Sequence, residues 1–103
     1  MQRYPVRNTH RRNLEPTALE AICRTHFEDV ARDGTSVTAR WGAIERLLAR
    51  AEGKELGVEL TMNPKVEEPV ARETIARYNT FLAEATGFTS KERAKRLRKS
   101  AGE

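Results

Sequence analysis

From Glu55 to Met62 the chain alternates without a break, with Leu56, Val58, Leu60 and Met62 on one side and Glu55, Gly57, Glu59 and Thr61 on the other. Side chains along a strand point to opposite faces in turn, so this segment specifies a strand with one apolar and one wet face. A sheet of such strands is antiparallel and buries one face under helices. Every other segment has to be compatible with that requirement.

The segment just before this strand is ambiguous. Ile44, Leu47, Leu48 and Ala51 fit a helical stripe, and residues 43–52 are rich in helix formers. Folding the chain back about Glu52-Gly53 instead pairs Arg50 with Glu55, Ala49 with Leu56, Leu47 with Val58 and Arg46 with Glu59, which satisfies both faces at once. In a helix, Arg46 and Arg50 would be like-charged neighbours. The hairpin is preferred, and it leaves Leu48 as an exposed apolar residue.

Upstream, Gln2 to Arg7 alternates weakly, and Pro5, lacking a ladder donor, suits an edge strand. Asn13 is a good N-cap for a helix over 14–26, with Leu14, Ala18, Ile22 and His26 at four-residue spacing beside Leu19 and Cys23. A second hairpin, 28–32 with 35–41, turns about Asp33-Gly34 and presents Val37, Ala39 and Trp41 on one face. Downstream, Glu67, Glu68 and Pro69 open a long helix over 68–86, whose expected buried stripe is Ala71, Ile75, Tyr78, Leu82 and Ala85. Gly87 stands at its stop, and Thr89 and Glu92 have capping-box spacing for a last helix over 90–99.

The expected fold is α+β in the order β-α-β-β-β-β-α, an antiparallel sheet packed against helices and followed by a short basic C-terminal helix. Residues 1–88 are expected to form a single domain and 89–103 a basic tail. This element order resembles the TATA-binding-protein-like and helix-grip folds over about residues 2–86. A second resemblance lies in particular residues: Glu52-Gly53-Lys54 before an alternating strand, then Arg77-Tyr78-Asn79-Thr80-Phe81-Leu82, then Ala85-Thr86-Gly87-Phe88-Thr89 leading into Lys91-Glu92-Arg93. These stretches resemble a family of small uncharacterised archaeal proteins known only as a domain of unknown function. The resemblance implies the same elements and brings no activity with it.

The net charge of +4 is unevenly distributed. Residues 1–12 carry Arg3, Arg7, Arg11 and Arg12 with no acid, and residues 89–103 carry Lys91, Arg93, Lys95, Arg96, Arg98 and Lys99 against Glu92 and Glu103. Residues 13–88, with nine bases and thirteen acids, are net negative. The basic character therefore belongs to the ends of the chain. A single cysteine cannot form an internal disulfide, the first residues lack the apolar stretch of a secretory leader, and runs such as Leu47-Leu48-Ala49 are too short to span a bilayer. A cytoplasmic location is the expectation.

Catalytic and metal chemistry find little support. Cys23 and His26 share a helix face, but with His10 the only other soft ligand there is no second half-site for zinc and no third group to orient a nucleophile. Glu67 and Glu68 are explained by the helix dipole, Tyr78 and Phe81 by core packing, and no glycine-rich phosphate loop is present. No cofactor and no metal are expected, and the protein is not expected to be an enzyme. The expected activity is non-specific, salt-sensitive contact of the ten basic terminal residues with RNA or DNA, alone or in a nucleoprotein assembly, and not with a membrane. The alternative is a protein-interaction or small-ligand module using a groove between sheet and helices, with Leu48 and Phe88 as exposed apolar contacts. The sheet's wet face is set aside as a nucleic-acid platform because Glu55 and Glu59 offset Arg46 and Arg50 across the strands.

Overall fold

The computed structural model describes residues 2–101, with side chains through residue 95. Its elements are β1 (Gln2–Pro5), a 3-10 helix (Asn8–Leu14), α1 (Pro16–His26), β2 (Glu28–Asp33), β3 (Ser36–Trp41), β4 (Ile44–Glu52), β5 (Glu55–Met62), α2 (Glu68–Thr86) and α3 (Ser90–Ala101). The last four strands form a meander and β1 pairs with β5, giving the order β1-β5-β4-β3-β2 with every pairing antiparallel. The segment through α1 thus carries the chain from one edge of the sheet to the other. Leu19, Ile22 and Cys23 of α1 and Phe81, Leu82 and Ala85 of α2 share one core with Val37, Leu47, Leu56 and Val58 of the sheet. This is the expected α+β architecture, one apolar sheet face buried under helices.

The ambiguous segment is a strand, and its register differs from the expected one. Glu52 pairs with Glu55 and Asp33 with Ser36, so both hairpins close through two-residue loops, Gly53-Lys54 and Gly34-Thr35. Each loop begins with a glycine at positive φ, +64° and +61°, a conformation that a Cβ disfavours. The first loop therefore falls one residue later than Asp33-Gly34. In the second, the loop likewise falls one residue later than Glu52-Gly53, which moves the pairing by two residues, placing Arg50 opposite Gly57, Ala49 opposite Val58, Leu47 opposite Leu60 and Arg46 opposite Thr61. A shift of two keeps every side chain on its own face. Leu47, Ala49, Leu56 and Val58 are accordingly buried as expected, but Arg50 pairs with Glu52 at 2.6 Å rather than with Glu55. Leu48, expected to be exposed, is half-buried between Thr38 and Glu59.

The helices differ from expectation at three points. α1 starts at Pro16, and the preceding turn is 3-10; Asn13, instead of capping α1, donates to the carbonyls of Glu84 and Ala85 at 3.2 and 3.4 Å. α2 has the expected bounds, but Ile75 is 54% exposed while Thr74 is fully buried. The reason is that α2 turns Phe81 toward Phe27, with ring centroids 5.1 Å apart, which puts Thr74 in the same buried arc and Ile75 on its flank. Thr74 tolerates burial because its hydroxyl donates to the Val70 carbonyl at 2.7 Å and accepts from the Ala43 amide at 3.0 Å. Phe88, expected to be exposed, is buried with 4% exposure.

Candidate functional site

Beyond β1 the chain is stitched to the end of α2. The Arg7 amide donates to the Thr86 carbonyl at 2.9 Å, and the His10 amide donates to the Arg7 carbonyl at 2.8 Å, starting the 3-10 turn. On the other side, Gly87 ends α2 in the left-handed conformation, φ +80°, with its amide on the Ala83 carbonyl at 2.9 Å. That reversal turns Phe88 inward, where its amide donates to the Thr86 hydroxyl at 3.2 Å.

Arg7 joins these pieces. Its guanidinium lies over the Phe88 ring at 4.4 Å, Nε donates to the Gly87 carbonyl at 2.7 Å, and Nη2 donates to Glu92 at 2.6 Å. Glu92 also closes the expected capping box: the Thr89 amide donates to its carboxylate at 3.1 Å, and its own amide donates to the Thr89 hydroxyl at 3.3 Å. The backbone donor of Thr89, with Arg7 adding its charge, holds the Glu92 carboxyl below the usual carboxylate range. Arg93, one residue on, is 6% exposed and donates to the Phe88 carbonyl at 2.6 Å and to Asn79 at 3.1 Å. It has no carboxylate partner among the described residues, and burial lowers its affinity for the proton. Tyr78, whose hydroxyl is 3.1 Å from that of Tyr4, is pushed well above the ordinary phenol range by the same burial.

A cleft of about 520 Å³ opens beside this junction, lined by residues 5–9, Arg11, Lys54, Glu55 and Phe88. Lys54 reaches it because Pro5 pairs with Glu55, setting the β4–β5 turn next to the point where the chain leaves β1. Three of the cleft's four ionisable groups are cations. Arg7 is offset by Glu92, whereas Arg11 and Lys54 make no ion pair among the described residues.

Of the ten basic residues nominated from the sequence, Arg7 and Arg11 come together in the cleft. Arg12, Lys91 and Lys95 are exposed, and the Arg7–Glu92 contact brings the first turn of α3 to the same end of the molecule. Arg3 is exposed on β1, opposite Gly57. Arg93 is not a surface contact: its guanidinium anchors the start of α3. The side chains of Arg96, Arg98 and Lys99 lie outside the described residues. Lys54 is absent from the nominated set, its only sequence signal being a basic residue in a turn. On the exposed side chains of the sheet the expected Arg46–Glu59 and Arg50–Glu55 pairs do not form; Arg50 pairs with Glu52 on its own strand, and Arg40 with Asp29 of the neighbouring strand at 3.4 Å.

The soft ligands do not converge. Cys23 is sealed in the core, where burial pushes its thiol up to about 12; His26 pairs with Glu84, and His10 accepts or donates at Thr9. Among the described residues no three His, Cys, Asp or Glu side chains are placed to share a metal ion. Nor is any helix among them long and apolar enough to cross a membrane.

Residues 1–99 match the family model described as Domain of unknown function (DUF5611). The chain belongs to that family. The DUF5611 fold is also seen in the NMR solution structure of hypothetical protein TA0095 from Thermoplasma acidophilum, which is 22% identical, with a TM-score of 0.70 over 94% of this chain and 97% of the archaeal one. No curated protein matches the chain. The DUF5611 assignment agrees with the resemblance carried by the Glu52-Gly53-Lys54, Arg77–Leu82 and Ala85–Arg93 stretches, and at this identity the archaeal structure speaks for the fold alone.

Proposed function

We propose that this protein is a non-catalytic, cytoplasmic binding module that contacts the phosphate backbone of RNA or DNA through the end of the molecule where the 3-10 helix, the β4–β5 turn and the start of α3 meet. The observation that carries this reading is the cleft in which Arg11 and Lys54 form no ion pair among the described residues. Arg12, Lys91 and Lys95 are exposed and add further positive charge. Phosphate neutralisation by such a set releases counterions and favours affinity without sequence preference. Cys23, sealed in the core with its thiol held protonated, is not placed to act as a nucleophile.

Titration of labelled single-stranded and duplex oligonucleotides at low and physiological salt tests the reading, using the full chain, a Lys54→Glu/Arg11→Glu variant and a Lys91→Glu/Lys95→Glu variant. Wild-type affinity should be roughly micromolar or weaker and should fall steeply with salt, with the slope shrinking by about one for each phosphate that a variant no longer neutralises. Absence of binding at low salt, or equal binding by all three proteins, removes the proposal. A protein-interaction role is the second reading, and the exposed Ile75, Val70 and Leu60 favour it. Phe88 does not contribute to it, being covered by Arg7.

A further inference from the structure

A duplex presents its phosphates on convex ridges with the bases turned inward, so contact with it calls for a surface rather than a recess. The cleft is a recess, of about 520 Å³, and the two of its cations that form no ion pair among the described residues are carried by different elements, Arg11 on the 3-10 helix and Lys54 on the β4–β5 turn. Pro5, Val6 and Arg7 line the same cleft. Arg7 is a fixed plane: Gly87, Glu92 and the Phe88 ring restrain its guanidinium, while 44% of its side chain remains exposed. Guanidinium planes stack unpaired bases as aromatic rings do. The remaining charged group, Glu55, would repel a second or third phosphate and can accept hydrogen bonds from ribose hydroxyls or an exocyclic amine.

We propose that this cleft is a subsite for one nucleoside monophosphate unit, free or within a single strand, with Arg11 and Lys54 on the phosphate and Arg7 stacking the base. The subsite rests on the nucleic-acid reading and narrows it to unpaired nucleotides. It also sets a preference for one phosphate over three, since Glu55 opposes further negative charge.

The test is an NMR titration of the isotopically labelled full chain with adenosine 5′-monophosphate, adenosine 5′-triphosphate, adenosine and inorganic phosphate, beside a single-stranded oligonucleotide and its duplex. The monophosphate should shift the amides of residues 6–9, 11 and 54–55 and bind about tenfold more tightly than inorganic phosphate, the increment a stacked base supplies. It should also bind more tightly than the triphosphate. Lys54→Glu, a change in an exposed turn, should abolish most of that binding; Arg7→Lys, which keeps the charge and loses the plane, should bring the monophosphate close to inorganic phosphate. A monophosphate that binds no better than inorganic phosphate, or that shifts residues elsewhere, overturns the subsite. If the oligonucleotide still binds in that case, the backbone-contact reading stands without it; if nothing binds, both fall.

Discussion

Gly87→Ala tests the junction that builds the cleft, because two separable costs meet at that residue. The first is conformational: a Cβ at φ +80° costs about 1–2 kcal/mol in the left-handed region. The second is steric, since the added carbon would stand 2.7 Å from His10 Nδ1 and 2.9 Å from Arg7 Cδ, so one of these side chains must move. Forced displacement in a packed region adds about 1–3 kcal/mol. The sum, about 2–5 kcal/mol, is a large part of the roughly 5–15 kcal/mol that holds a small domain folded. Gly34→Ala is the internal control, because Gly34 has φ +61° and no atom within 4 Å of the point a Cβ would occupy, leaving only the conformational cost. Urea denaturation followed by far-UV circular dichroism should place Gly87→Ala below Gly34→Ala by about 1–3 kcal/mol. Thermal midpoints should separate by about 4–8 °C for each kcal/mol. Equal losses from the two substitutions would refute the close packing of Arg7 and His10 on Gly87.

Two further outcomes follow from the buried groups. Arg93→Lys should cost about 1–3 kcal/mol in the same denaturation assay, because an ammonium cannot reproduce the fork that serves Phe88 and Asn79 together, whereas Lys95→Arg should change stability little. Cys23 should resist thiol reagents in the native state, and Cys23→Ala should cost about 1–2 kcal/mol as a small core truncation. Because the folded thiol is raised from 9.0 to about 12, its contribution is fully present below pH 9.0 and is lost as pH rises toward 12 while only the unfolded chain ionises. The fall should approach about 1.4 kcal/mol per pH unit and be absent from Cys23→Ala, which pH-dependent denaturation of the two proteins would measure.

Much of the fold was legible because its signals are local. Alternation in Glu55–Met62, the acids and proline before α2, Gly87 at its end and the Thr89–Glu92 box each report on a few neighbouring residues, and each element formed as read. The strand over residues 44–52 was legible for a different reason: its pairing with the next strand is a short-range hairpin, and cross-strand complementarity outweighed helix propensity. Where the structure departs from expectation, it does so by amounts that alternation cannot detect. A register error of two residues leaves every side chain on its face, so only the loop geometry at Gly53-Lys54 could correct it. Likewise, a periodic stripe shows which arc of α2 is apolar but not which edge of the arc is covered, and contact with Phe27 decided between Thr74 and Ile75.

By itself the sequence determined that positive charge sits at the two ends and that the core is a half-covered antiparallel sheet. Tertiary structure alone decided what the charges do. Pairing of β1 with β5 sets Lys54 beside Arg7 and Arg11, residues more than forty positions away in the chain, and makes a cleft from three scattered cations. Arg93, indistinguishable from Lys91 and Lys95 in composition, is withdrawn from the surface because α2 ends at Gly87 and delivers the Phe88 carbonyl to it. Charge is carried in the composition of a chain, but the partner of each charge, and hence its availability to a ligand, depends on contacts between residues far apart in sequence.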